Sequence, residues 1–224
     1  MTGSDTTVVL ATSNPGKLAE FRALLAGLPI ELVSASDALG RMPVVVEDGE
    51  TFEQNAVKKA RAIADEALMI TLADDSGLEV DVLRGAPGVR SARYAGERAT
   101  DAENNQALLL ALRDVPTDER RARFRCVLCV IDPWSGEEAQ MVLAEGTCEG
   151  VIARSPRGSG GFGYDPLFVV EGRDQTMAEL QDGEKNTISH RAKAVESLRP
   201  KLMRMLEERV AATERISMYG LPPE

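Results

Sequence analysis

A single histidine and three cysteines in 224 residues remove several chemistries at the outset. With His190 alone, the chain offers no Ser/His/Asp or Cys/His catalytic constellation beyond coincidence. Three cysteines cannot all pair within one chain. Cys126 and Cys129 lie in a β-rich run, Phe124 to Ile131, where positions three apart point to opposite faces. Together with Cys148 they read as reduced thiols packed as small hydrophobes, and as neither a zinc site nor a disulfide framework. Long apolar runs are missing too: Ala107 to Leu112 and Cys126 to Ile131 fall far short of the roughly 20 residues of a spanning helix. The N-terminus, Met1 to Thr7, lacks the basic start and apolar stretch of a signal peptide and leads straight into Val8-Val9-Leu10, so a cytoplasmic location is the simplest expectation. Basic residues are outnumbered, 26 Lys+Arg against 36 Asp+Glu, for a net charge of −10. Such a surface repels a phosphate backbone or an anionic membrane. No nucleic acid and no membrane is therefore expected as a partner, while a small anion held in a local basic pocket stays open.

What the sequence does have is 43% hydrophobic residues, enough for one substantial core. No repeat, low-complexity tract or long linker interrupts it, so residues 1–224 read as a single domain with two lobes. Val8 to Thr12 reads as a buried strand, followed by a Ser13-Asn14-Pro15-Gly16 turn and a helix from Lys17 that stops at Gly27 and Pro29. Thr51 with Gln54, and Thr100 with Glu103, carry the capping-box pattern. The helices they open run to about Ala67 and to a point before Pro116. Strand-like runs follow at Met69 to Ala73, Leu78 to Leu83, Phe124 to Ile131, Met141 to Glu145 and Leu167 to Val170. The runs around Phe124 and Met141, joined by an Asp132-Pro133-Trp134-Ser135-Gly136 turn, look antiparallel. The last helix begins near Ser189, and Pro200 is expected to kink or split it. The fold class is α/β, with a mixed β-sheet flanked by helices.

Five places could carry chemistry. Ser13 to Lys17 joins a buried strand to a helix start, so backbone N–H groups, the positive helix end and a lysine converge as an anion would require. An ordinary capped turn with Pro near the first helical position would look the same. On the second helix Lys59 falls within about 20° of Phe52, on the apolar stripe. It either snorkels to the edge of the core or is aimed at an anion. Asp74 and Asp75 sit between two apolar runs and read as a tight turn at the mouth of a sheet, tolerable if a divalent cation or a base shares the site; a water-facing Asp-Ser-Gly turn is the plain alternative. Glu47 and Asp48, just before the second helix, are a further ligand or solvated loop charges. The run Gly158 to Pro166 sets four glycines beside Phe162 and Tyr164 and ends at Asp165, which suits close backbone approach to a flat ligand, an aromatic for stacking and a carboxylate for a base edge. Finally Lys185, His190 and Arg191 cluster about the last helix start, where they either cap and pair as structural groups or form a donor set for carbonyl or phosphate oxygens.

These segments occur in a familiar order. Thr12-Ser13-Asn14-Pro15-Gly16-Lys17, Thr51-Phe52-Glu53-Gln54-Asn55-Ala56 with Lys59, Ala73-Asp74-Asp75-Ser76-Gly77-Leu78, Gly85-Ala86-Pro87-Gly88 through Ser91-Ala92-Arg93-Tyr94, Gly160 to Pro166 and Ser189-His190-Arg191 together resemble the inosine triphosphate pyrophosphatase family, most nearly its bacterial dITP/XTP branch. The likeness runs from about Val8 to Leu206 and leaves residues 1–7 and 211–224 as peripheral extensions. It implies a homodimer whose protomers have two lobes with an intervening active-site cleft, hydrolysing dITP, ITP and XTP to the monophosphate and pyrophosphate with Mg²⁺, and so cleansing the nucleotide pool. It further implies that Thr12 and Ser13 contact the substrate and that Asn14, Lys17 and Lys59 hold phosphates. Glu47 and Asp74 would bind the metal and Asp75 would activate water, although adjacency alone leaves open which aspartate is base and which is ligand, and Asp75 is a metal ligand in one of the two arrangements. Ser76 would be a further substrate contact. Phe162 would stack on the base, Gly163 and Tyr164 would be further substrate contacts, and Asp165, Lys185, His190 and Arg191 would read the purine edge. A nucleotide sensor without hydrolysis, or a hydrolase of another phosphorylated small molecule, would use the same phosphate and metal groups.

Overall fold

Val8, Val9 and Leu10 are completely buried, and their strand, β1 (Thr6–Leu10), lies between two parallel neighbours. A strand covered on both faces needs a continuous apolar run and not an alternating one. β2 (Ile30–Ser34) pairs with it from Thr6↔Ile30 to Leu10↔Ser34, and β3 (Thr71–Val80) pairs at Val9↔Thr71 and Leu10↔Leu72. Parallel strands need a crossover, and α1 (Pro15–Leu24) supplies the first. The computed structural model describes residues 6–134 and 140–219. Its remaining elements are α2 (Ala35–Leu39), α3 (Phe52–Ala67), α4 (Asp101–Ala111), β4 (Arg121–Asp132), β5 (Gln140–Ile152), β6 (Phe168–Val170), α5 (Asp182–Ile188) and α6 (His190–Tyr219). One six-stranded sheet has the order β2-β1-β3-β4-β5-β6. It is mixed, as expected: parallel about β1, and antiparallel where Gly150, Val151 and Ile152 of β5 meet Val170, Val169 and Phe168 of β6. Of the expected turn after β4, Ser135 and Gly136 lie outside the described residues.

Chain packing divides into two compact units: the described parts of Met1–Asp75, Val127–Glu145 and Ala194–Glu224 form one, and Ser76–Cys126 with Gly146–Lys193 the other. β3, β4, β5 and α6 each contribute one stretch to either unit. The first unit buries Phe21, Ile63, Leu72, Leu128, Leu198 and Leu202 completely. The second has a core that includes Leu78, Leu108, Phe124, Tyr164, Leu167 and Phe168. Each such side chain contributes roughly 1.5–3 kcal/mol on burial. All three cysteines are free and buried, and burial pushes the Cys129 thiol up to about 12.

Two expectations are corrected. Asp74 to Gly77 is not a turn: β3 runs unbroken from Thr71 to Val80, because partners on other elements compensate both carboxylates inside the strand. Nor does Pro200 split the last helix, which runs from His190 to Tyr219 with the proline inside it. The turns on either side are held by tertiary contacts. Leu198 and Leu202 are fully buried, Arg199 donates to the carbonyls of Leu24 and Ala26, and Lys201 Nζ donates to that of Leu143. These offset the one intrahelical bond that a proline removes. β2, α2 and α5 are short elements without a periodic pattern long enough to read in advance.

Candidate active site

In the first unit the site begins at the end of β1. Thr12 Oγ1 accepts from Asn14 N at 3.2 Å, and the Asn14 side-chain oxygen accepts from Gly16 N at 2.8 Å and Lys17 N at 3.2 Å. Asn14 is thus the N-cap of α1, its amide oxygen spent on the first turn. One turn into the helix, Lys17 Nζ reaches both oxygens of Asp74 on β3, at 2.8 and 3.1 Å. The Asp74 side chain is only 2% exposed, and a carboxylate so placed without a cation would cost several kcal/mol.

The neighbouring strand residue is served by α3. Asp75 Oδ1 accepts from Lys59 Nζ at 3.0 Å and Oδ2 from Asn55 Nδ2 at 3.2 Å, while Lys59 Nζ also lies 3.2 Å from Glu47 Oε2. Lys59 therefore does not merely snorkel from the apolar stripe; it bridges two carboxylates. Asn55 was not singled out from the sequence, although the signal was available as a second polar residue on the same stripe, 1% exposed beside Phe52, Ala56 and Ala60. Its side-chain oxygen accepts from Gly49 N at 2.8 Å. A Cβ on Gly49 would meet that oxygen at 2.5 Å, so the loop carrying Glu47 reaches the cluster only because residue 49 has no side chain. Thr51 caps α3 through Gln54 N, but the Gln54 side chain turns to Glu50 N, so the expected reciprocal box closes one residue earlier.

Burial would lower the Lys59 pKa, but the charges of Asp74, Asp75 and Glu47 outweigh it and hold the ammonium above its usual range. For Asp75 burial dominates and raises the carboxyl; Lys59 and Asn55 oppose it and Glu47 adds to it. The result is a buried carboxylate more basic than an ordinary aspartate. Three carboxylates against two ammonium groups leave one negative charge. Among the described residues, no three acidic, His or Cys side chains converge as they would on an ion, because lysine nitrogens stand between them. A cavity of about 270 Å³ adjoins the cluster, lined by Thr12, Ser13, Lys17, Glu47, Lys59 and Asp74, with an apolar wall from the 42–45 segment.

The second unit gathers the other expected residues. Asp165, 4% exposed, accepts through Oδ2 from Phe162 N at 3.0 Å and from Lys185 Nζ of α5 at 2.7 Å. A Cβ on Gly161, which has φ +73°, would meet that same oxygen at 2.0 Å. Only glycine permits this turn, for both its conformation and its space. The Phe162 ring is 40% exposed, and Lys185 Nζ and the Arg191 guanidinium lie 5.2 and 5.0 Å from its centroid, at cation–π range. Ser189 Oγ accepts from Ala192 N and so caps the first turn of α6. That turn carries His190, stacked on Phe124 with centroids 4.9 Å apart, and Arg191, whose Nη2 donates to Ser76 Oγ at 3.0 Å. Tyr164 behaves differently from the expected ligand contact. It is 4% exposed in the core, and its hydroxyl donates to the Ser91 carbonyl at 2.8 Å. It anchors the loop and leaves Phe162 as the exposed aromatic.

Fold and site together define an α/β protein built around a buried, lysine-compensated carboxylate centre. Residues 8–201 match the model of the Ham1 family, and the chain belongs to that family. It is 51% identical over 191 residues to the dITP/XTP pyrophosphatase of Bacillus licheniformis, spanning 85% of this chain and 95% of that protein. It is 48% identical over 191 residues to the dITP/XTP pyrophosphatase of Escherichia coli, again 85% and 95%. A solved HAM1 protein from Coxiella burnetii superposes with a TM-score of 0.80 at 43% identity, covering 89% of this chain and 99% of that one. The likeness read from the motifs is borne out.

Proposed function

We propose that the protein hydrolyses the non-canonical purine nucleoside triphosphates dITP, ITP and XTP to the monophosphate and pyrophosphate and so cleanses the nucleotide pool; the relatives named dITP/XTP pyrophosphatase support this reading. The observation that carries the chemistry is Asp75, a buried carboxylate oriented by the Lys59 and Asn55 donors; burial pushes its carboxyl upward, in the same sense. Asp75 would take the proton of an attacking water. The water oxygen bonds to the α-phosphorus, the bond to the bridging oxygen of the leaving diphosphate breaks, and pyrophosphate departs. Lys17 and Lys59 would exchange their carboxylate partners for phosphate oxygens, with the Asn14 amide and the Thr12-Ser13 segment beside them. The donor set suits a hard divalent cation: all oxygens, with Glu47 and Asp75 already arranged about one positive charge. Glu47 and Asp74 would hold Mg²⁺, with Asp75 adjacent. When bound it would neutralise phosphate charge and make the phosphorus more electrophilic.

Base choice is assigned to the second unit. Phe162 offers a stacking face. Lys185, His190 and Arg191 are donors that satisfy the O6 carbonyl of hypoxanthine or xanthine and would oppose the amino group of adenine. Asp165 and Ser76 orient that set through Lys185 and Arg191. The test is purified protein with Mg²⁺ and, separately, ITP, dITP, XTP, GTP and ATP, with pyrophosphate followed. Selective release from the first three is expected. Binding without release would mean a sensor, and release from unrelated phosphates with none from these would mean another hydrolase. The homodimer and the cytoplasmic location belong to the same proposal; among the described residues no helix is long and apolar enough to cross a membrane.

A further inference from the structure

Gly163 is the one residue of the glycine-rich loop whose two backbone groups are both taken by side chains of the same helix. Its N–H donates to Asp101 Oδ2 at 2.7 Å, and its carbonyl accepts from Asn105 Nδ2 at 2.8 Å. Asp101 and Asn105 are four apart on α4 and so share a face. Nothing would obstruct a Cβ at Gly163, but its φ of +61° belongs to the left-handed region, so both groups of this peptide are presented in an orientation that other residues rarely adopt. The Asn105 Oδ1 atom is buried with no hydrogen-bond partner. An amide kept in this place at that cost points to the contact its nitrogen makes.

The helix that holds the peptide is itself fixed. Thr100 and Glu103 form a complete capping box, and Leu108 and Leu112 are fully buried. Asn104 accepts from Ala95 N and donates to the Ala92 carbonyl. Arg120, 2% exposed, donates to the carbonyls of Leu112, Val115 and Ala153. On either side of Gly163, Tyr164 is tied to Ser91 and Phe162 N to Asp165. Phe162 thus projects from a loop that is pinned at three consecutive residues.

We infer that Asp101 and Asn105 are positioning residues for base recognition: they clamp Gly163 so that Phe162 presents its ring in one orientation. The inference rests on the nucleotide reading above. Neither residue is assigned a contact with substrate, and the clamp acts on the base and not on the phosphates. Asp101→Ala and Asn105→Ala should each raise KM for ITP about tenfold, the loss of one hydrogen bond to a charged or well-ordered partner, with kcat held within about twofold. Inhibition by inorganic tripolyphosphate, which has no base, should not move. Asp101→Asn, which keeps an acceptor, should restore KM. Hydrogen exchange of the loop amides should quicken in the alanine variants. Unaltered KM for ITP in both variants would overturn the inference, and so would parallel losses of kcat and tripolyphosphate inhibition, which mark general damage. If the wild type releases pyrophosphate from none of the five triphosphates, the nucleotide reading itself fails. Exchange at Gly163 then still decides the clamp, and unchanged protection in the variants refutes it.

Discussion

Asp75 and Asp74 are adjacent and chemically identical, yet their surroundings differ. Asp74 is held by Lys17 through both oxygens, whereas Asp75 divides its oxygens between Lys59 and Asn55 and is raised by burial. Asp75→Asn keeps the shape and an acceptor but removes the proposed base, so turnover should fall by about 10²–10⁴-fold, the usual worth of a positioned base. ITP binding, measured by calorimetry, should persist. Lost binding with residual turnover would assign Asp75 to the ligand set. The reason this distinction was hidden in the sequence is distance along the chain. Lys17 is 57 residues from Asp74, and Lys59 is 16 from Asp75. Without those partners two consecutive aspartates before Ser-Gly read as a solvent-facing turn. With them, the same four residues continue a strand.

At the scale of elements, what was legible was local. The Thr100 and Glu103 box reads directly because both partners lie within one turn, and it forms in full. Hydrogen bonds from Thr100 hold the Glu103 carboxyl below its ordinary value of 4.5. A carboxyl depressed in the folded state adds stability above its unfolded pKa, and that stability is lost as pH falls through the lower folded value. The melting-temperature difference between wild type and Glu103→Gln should therefore be greatest near neutrality and shrink as pH drops below about 4. A difference that stays constant across that range would deny the charge any part in the cap. Pro200 is the converse case. Local rules break the helix there, and the contacts that carry it through, from Arg199 to Leu24 and Ala26 and from Lys201 to Leu143, are remote in sequence.

For the whole molecule, the reach of α6 beyond the family match at residue 201 is informative. Arg209, on that further length, pairs with Asp132 at the end of β4, and Asp132 is 1% exposed. The pair lies within one unit. Asp132 also accepts from Trp134 N, so Arg209→Ala leaves it partly compensated. Unfolding in urea at neutral pH should show a loss of about 2 kcal/mol, with hydrolysis at room temperature retained. The order of the chain through the two units has another outcome. One unit is assembled from three stretches and the other from two, with the changeovers falling inside β3, β4, β5 and α6. No single cut in the gene yields either unit with its strands entire. The residues proposed for phosphate chemistry and those proposed for the base therefore alternate along the chain, and replacing one set wholesale would take more than one crossover in the gene.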